Sequence, residues 1–215
     1  MNNNYICKIA NLEEINKKWD YEIEKHPEDS RWKVWKKQFV ESVKQGRRIC
    51  YYGILDGNII SEATAIINKD DVDKNNQDLI NETTAYLVAF RTIEEYQSKG
   101  YFSKLYKLME EDLKNKGYKK LILGVEPCEE KNKQIYFKWG YTNLVKIDVE
   151  EYPIKDGKTE PERIEIEYYS QDDFERIVEN LNVLKNAFFV HSNTPNTPNA
   201  EYHFENINAI ETILS

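Results

Sequence analysis

One stretch constrains the fold of this chain more than any other: a strand that passes through a single glycine into a helix, between Ala85 and Met109. From Ala85 to Thr92 the residues are apolar and β-branched enough for a strand with at least one buried face. From Tyr101 onward Phe102, Leu105, Met109 and Leu113 recur at spacings of three and four, the period of an amphipathic helix. Between the two lies Gln97-Ser98-Lys99-Gly100. A helix start leaves backbone N–H groups without intrahelical acceptors and adds the positive end of the helix dipole. Such a point suits a phosphate or pyrophosphate, and Gly100 supplies the backbone freedom for close approach. Read alone, the stretch is equally an ordinary strand–loop–helix connection. It holds neither a P-loop nor the three-glycine dinucleotide fingerprint.

A second strand, Gly117 to Val125, is followed by a short helix from Asn132 to Trp139 and then Gly140-Tyr141. In this order the two segments resemble the GNAT superfamily of N-acetyltransferases. There a strand leads into Gln/Arg-x-x-Gly-x-Gly/Ala at a helix start, and a later helix carries Leu-Tyr before Gly-Phe. Here the first motif reads Gln97-Ser98-Lys99-Gly100-Tyr101-Phe102, and the second reads Ile135-Tyr136-Phe137-Lys138-Trp139-Gly140-Tyr141. The close match spans about Ala85 to Leu144. Phe102 stands where the family has Gly or Ala, Glu129 where it often has Asn, and Asn132 where it often has Ala.

The resemblance implies an α/β (α+β) fold built on a central, mixed, mostly antiparallel sheet of about seven strands, with a splayed central pair and helices on both faces. It implies residues 1–170 as the acetyltransferase domain, and the residues beyond the expected fold, 171–215, read as a C-terminal helical extension with an Asn-Thr-Pro linker. It further implies an acyltransferase that moves an acetyl group from acetyl-CoA, as co-substrate and without a metal, to a primary amine of a small molecule by direct attack in a ternary complex. The pantetheine arm would lie along Phe90, Arg91 and Thr92, and the pyrophosphate on Gln97, Ser98, Lys99, Gly100, Tyr101, Phe102 and Ser103. Tyr136 would stand beside the thioester and protonate the departing thiolate; its plain alternative is a core tyrosine. Glu82, which shares the strand parity of Thr84, Tyr86 and Val88, and Glu62 on the preceding hairpin are candidate bases, or simply surface. The reading from another class is a non-catalytic GNAT-like domain that binds acyl-CoA or a protein partner.

The formal net charge of -8 opposes a nucleic-acid partner, which calls for a basic face, and suits a cationic amine. No apolar run is long enough for a membrane span, and Met1 to Tyr5 lacks the features of a signal peptide. Cys7, Cys50 and Cys128 are too scattered for a disulfide framework or metal knuckle and point to a reduced, cytoplasmic compartment. His26, His191 and His203 form no ligand set.

In chain order, Tyr5 to Ala10 reads as a strand. Asn11 with Glu14 opens a helix faced by Leu12, Ile15, Trp19 and Ile23. Asp29 or Ser30 caps a second helix, with Trp32, Trp35, Phe39 and Val43 inward and Gly46 at its end. Arg47 to Asp56 and Asn58 to Asn68 form a hairpin about Asp56-Gly57. Lys69 to Asn81 is a polar loop, either mobile or overhanging the acceptor site. Strands follow at Tyr141 to Tyr152 and Arg163 to Tyr169. Ser170 is read as the cap of a helix carrying Phe174, Ile177, Val178, Leu181 and Leu184, and Asn193 to Pro198 as a linker. Packing on the same domain, a homodimer contact and partial disorder all stay open for the extension.

Overall fold

The computed structural model describes residues 4–152 and 162–171. They fall into two compact units that divide between Gly124 and Val125. The expected helix after Ser170 and the linker lie outside the described residues.

The first unit is a sheet with helices on both faces. Its strands are β1 (Tyr5–Ile9), β2 (Arg48–Leu55), β3 (Asn58–Ile66), β4 (Thr84–Thr92) and β5 (Lys120–Val125), side by side in that order. The pairs from β1 to β4 are antiparallel, and β4 with β5 is parallel. Helices α1 (Leu12–Lys25) and α2 (Arg31–Lys44) precede the hairpin, and α3 (Tyr101–Asn115) joins β4 to β5. The capping box read at α1 is present: Glu14 N–H donates to Asn11 Oδ1 at 2.9 Å, and Asn11 N–H donates to Glu14 Oε2 at 2.9 Å. At α2 it is the Asp29 carboxylate that accepts the Arg31 N–H, at 3.0 Å, while Ser30 makes no side-chain cap. Asp56 and Gly57 both adopt positive φ, 49° and 84°, as a tight hairpin turn requires.

Alternation along β2 sets the two layers. Cys50 and Tyr52 pack with Ile15 of α1, flanked by Trp19, Phe39 and Val43. Tyr51 points the other way and donates its hydroxyl to Asp112 of α3 at 2.7 Å. Trp32 and Trp35 are less inward than their spacing predicts: Trp32 is half-buried and stacks on His26 at 4.2 Å, and Trp35 is exposed.

The segment between β3 and β4 corrects the expectation of a mobile or overhanging loop. It winds into two short 3₁₀ turns, Lys69–Asp71 and Lys74–Leu79, with Asn76 and Leu79 buried. The Asp71 side chain, 7 % exposed, pairs with Arg48 and Arg47 and accepts the Ser42 hydroxyl. This anchor lies where β3 ends and β4 begins, at the opposite end of the sheet from Thr92.

β4 holds an irregularity that shapes the candidate site. Thr64 pairs with Val88 and Glu62 with Arg91, so β4 spends three steps where β3 spends two. The extra residue is a β-bulge at Ala89, whose φ of 57° is left-handed. Close to the same point the parallel ladder to β5 stops: it runs from Thr84 with Lys120 to Leu87 with Leu123, while β4 continues to Thr92. This is the expected splay of the central pair.

The second unit contains α4 (Glu130–Lys138) and an antiparallel pair, β6 (Asn143–Tyr152) and β7 (Glu162–Gln171). Tyr141 and Tyr168 are fully buried within it, and Lys133 of α4 bonds Glu167 of β7 at 2.7 Å. Ser170 is not a helix cap: it is a buried β7 residue whose hydroxyl accepts from Asn143 Nδ2 at 3.1 Å. Seven strands among the described residues, mostly antiparallel, agree with the fold class read from the sequence.

At Gly53 a side chain is excluded by packing, not by backbone angle. A Cβ there would stand far inside van der Waals contact with Tyr5 Oη and Ser61 Oγ. Gly53→Ala is therefore expected to cost about 1–3 kcal/mol, read as a lower midpoint in urea unfolding. An unchanged midpoint would show that the tyrosine can move aside.

Candidate active site

Past Thr92 the chain makes a tight turn, Glu94–Tyr96, and then the loop that opens α3. Gln97 Nε2 donates to the Thr92 carbonyl at 3.0 Å, and the Gln97 N–H donates to the Glu94 carbonyl at 3.1 Å. Gln97 is thus a brace of the loop, with its donors committed inward. The backbone N–H groups of Ser98, Lys99, Gly100, Tyr101 and Ser103 have no acceptor among the described residues, and the first helical bond runs from Lys104 to Gly100. Ser98 and Gly100 both have positive φ, 59° and 77°, so successive N–H groups converge on a concave nest at the helix start. A Cβ at Gly100 would meet nothing within 4 Å; the approach is open, and only the backbone conformation calls for glycine. Lys99 lies above the Tyr96 ring, 5.6 Å from its centroid, and adds a positive charge beside the nest.

Tyr5 fixes the nest to the sheet. Its hydroxyl donates to the Tyr101 carbonyl at 2.8 Å and lies 2.9 Å from Ser61 Oγ, and its ring packs 4.6 Å from that of Tyr101. Phe102 packs its ring 5.1 Å from Phe90, so the large residue at a small-residue position is absorbed by a half-buried aromatic pair on the sheet.

On the α1 face of the sheet, a cavity of about 710 Å3 is lined by α1, the β2–β3 hairpin and the end of β4. Glu62 stands in it with its side chain 16 % exposed, its Oε1 3.6 Å from Lys18 Nζ and 3.7 Å from Arg91 Nη1. The bulge puts Arg91 there. Strict alternation from Val88 would send Phe90 to this face, and the extra residue substitutes Arg91. Burial holds the Glu62 carboxyl above the ordinary carboxylate range, while Lys18 and Arg91 pull it back down. Thr92 also borders the cavity, and its hydroxyl is buried with no hydrogen-bond partner among the described residues. An orphaned hydroxyl of this kind costs free energy until a ligand satisfies it.

The structure separates the two candidate glutamates. Glu82 is exposed in the turn before β4, at the Asp71 end of the sheet, with the whole length of β4 between it and Thr92. Its parity reading fails as a guide because it neglects position along the strand. Sequence reading missed Lys18 and Tyr5, which look like ordinary helix and strand residues and carry no local signal.

In the second unit, Tyr136 is half-buried on α4, with Trp139 and Tyr141 rings 6.0 and 6.4 Å away. Burial, aided by Glu129, pushes its phenol up to about 12, so it keeps its proton near neutral pH. Glu129 and Asn132, the two departures at this helix start, bond each other at 2.9 Å. Cys128 is exposed and Cys50 buried.

The sequence profile of the Acetyltransferase (GNAT) family matches residues 9–141, more than half the chain. The chain belongs to the GNAT acetyltransferase family. Its fold is shared by an IAA acetyltransferase from Bacillus cereus (18% identity, TM-score 0.51, 79% of this chain and 99% of that one). It is also shared by an N-acetyltransferase from Staphylococcus aureus (14%, 0.55, 79% and 98%) and by the ribosomal-protein-S18-alanine N-acetyltransferase from Escherichia coli (16%, 0.56, 79% and 94%). At these identities the likeness speaks to the fold. Among curated proteins none matches this chain significantly. Among the described residues no group of His, Cys, Asp and Glu could hold a metal ion, and no helix is long and apolar enough to cross a membrane.

Glu62 has a testable energetic signature. Its folded-state pKa is raised, so the fold prefers the protonated form, and stability is lost as pH rises through that pKa. Glu62→Gln is expected to raise the melting temperature at pH 7.5, by about 2–4 °C per kcal/mol of strain relieved, and to show no gain at pH 4. A lower melting temperature at pH 7.5 would mean that the Lys18 and Arg91 pairs outweigh burial.

Proposed function

We propose that the chain transfers an acetyl group from acetyl-CoA to the primary amine of a small molecule by direct attack. The observation that carries this reading is the end of the β4–β5 ladder at Leu87, followed by the bulge at Ala89 and the N–H nest at Ser98–Ser103. Along one strand these supply a groove beside β4, a turned backbone and an anion site. The residues present fit acetyl-CoA. The nest matches the pyrophosphate, Lys99 adds charge, Phe90 to Thr92 border the groove, and the Thr92 hydroxyl awaits a partner.

When bound, acetyl-CoA supplies an acetyl group activated as a thioester. Glu62 takes the proton that the amine nitrogen loses as it forms the C–N bond. Lys18 and Arg91 beside it disfavour an ammonium there and so favour the neutral, nucleophilic amine. Tyr136, which holds its proton at neutral pH, is the acid that the family resemblance assigns to the sulfur as the C–S bond breaks. Glu82 has no part in this scheme.

Calorimetric titration decides the first half: acetyl-CoA is expected to bind at micromolar strength or tighter, and absence of binding at millimolar concentration overturns the proposal. Tyr136→Phe is expected to lower kcat on the order of a hundredfold, with acetyl-CoA affinity nearly unchanged; undiminished turnover would remove Tyr136 from the mechanism. Binding with no transfer to any amine would support the acyl-CoA-binding reading instead.

The pH profile tests Glu62. The groups that face it are Lys18 and Glu22 of α1 and Arg91 of β4. Its carboxylate must be free to act, so kcat/KM rises with pH through its pKa. Lys18→Met removes a cation that stabilises the carboxylate and should move this acid limb to higher pH. A limb that stays put, or moves down, would assign the base elsewhere.

A further inference from the structure

The charges around the Glu62 cavity sort themselves by pairing. Glu14 is held by Lys8 at 2.8 Å, and Glu22 by Lys18. Glu13 and Glu95 against Lys17 and Lys25 are all exposed and balance in number. What remains is Glu62, mostly covered, and Arg91, whose side chain is 65 % exposed. Their separation of 3.7 Å is too long for a hydrogen bond. With no hydrogen bond between them and the guanidinium largely in water, the pair offsets little of what burying Glu62 costs, so stability does not account for an arginine turned into the cavity by a strained bulge. Its planar fork of donors is the form best suited to a carboxylate. The rest of the wall includes Ile54, Ile59, Ile60 and Ile93, an apolar surface with no charge to satisfy.

Resting on the acetyltransferase reading above, the geometry points to an acceptor class: a free α-amino acid with an apolar side chain. Its amine meets Glu62, its carboxylate meets Arg91, and its side chain lies on the isoleucine wall. One carbon separates amine from carboxylate in such a molecule, matching the adjacency of Glu62 and Arg91. A polyamine or aminosugar carries further ammonium groups, which Lys18 and Arg91 repel. A peptide N-terminus offers an amide where Arg91 requires an anion.

The test measures thiol release by the full chain with saturating acetyl-CoA. L-leucine and L-phenylalanine are compared with isoamylamine and phenethylamine, which keep the side chain and lack the carboxylate. Leucinamide stands for a peptide terminus, and spermidine for a polyamine. The expected result is a kcat/KM for each amino acid about tenfold to a hundredfold above that of its decarboxylated partner, with leucinamide as poor as isoamylamine. Arg91→Gln should collapse that ratio, and Arg91→Lys should restore part of it.

Equal or faster turnover of isoamylamine or spermidine overturns the inference and leaves the acetyltransferase standing. Leucinamide equal to leucine overturns it in favour of a peptide acceptor. Acetyl-CoA binding without turnover of any of the six also overturns it. Failure to bind acetyl-CoA overturns the acetyltransferase reading and this inference with it.

Discussion

A single extra residue in β4 organises the candidate site of the first unit. Ala89 accepts a left-handed backbone so that three residues of β4 span two of β3. A non-glycine residue in that region is uncommon and carries strain, and it persists because β3 on one side and the packed Phe90–Phe102 pair on the other hold it in place. The bulge exchanges the faces of all that follows. Arg91 joins Glu62 on the α1 face, and the strand leaves the ladder it shared with β5 just before this turn. Pairing register, cavity charge and groove thus share one cause.

The nest at α3 depends on a different support. Helix starts are common, and one is useful as an anion site only if held at a fixed place. Here the Tyr5 hydroxyl reaches from β1 to the Tyr101 carbonyl, and Gly53 stays bare to admit it. Gln97 closes the other side by binding the carbonyl at the end of β4. The first motif's glutamine therefore shapes the loop, while the N–H groups beyond it are left without acceptors among the described residues.

Glu62 illustrates how a buried carboxylate can be kept usable. Burial raises its proton affinity and the two flanking cations lower it. Each cation stands more than 3.5 Å away, so neither locks it in a hydrogen-bonded pair. Lys18 is shared with Glu22, which leaves Arg91 the less committed of the two. An unlocked carboxylate beside a largely exposed guanidinium is poor structural glue.

Much of the architecture was legible in the chain because it follows from short-range chemistry. The Asn11–Glu14 capping box, the Asp56-Gly57 turn, the apolar period of α3 and the glycine at its start are local devices, and each appears where its residues predict. Family resemblance in the two motifs added the expected splay of the central strands. Local reading failed where distance along the sheet decided the matter. Glu82 and Glu62 looked equivalent by residue type and parity, yet Glu62 pairs with Arg91 near the end of β4 while Glu82 lies before that strand begins. Asp71 looked like one more acid in a polar loop, yet Arg47, Arg48 and Ser42, over twenty residues away in sequence, bury it. Ser170 had the look of a helix cap until pairing with Asn143 drew it into β7. By itself the sequence determined the kinds of elements, their order and the family, because caps, turns and periodicity act within a few residues. Only the tertiary structure decided which charges share a cavity, because the bulge at Ala89 arises from strand pairing and leaves no mark in the residues that form it.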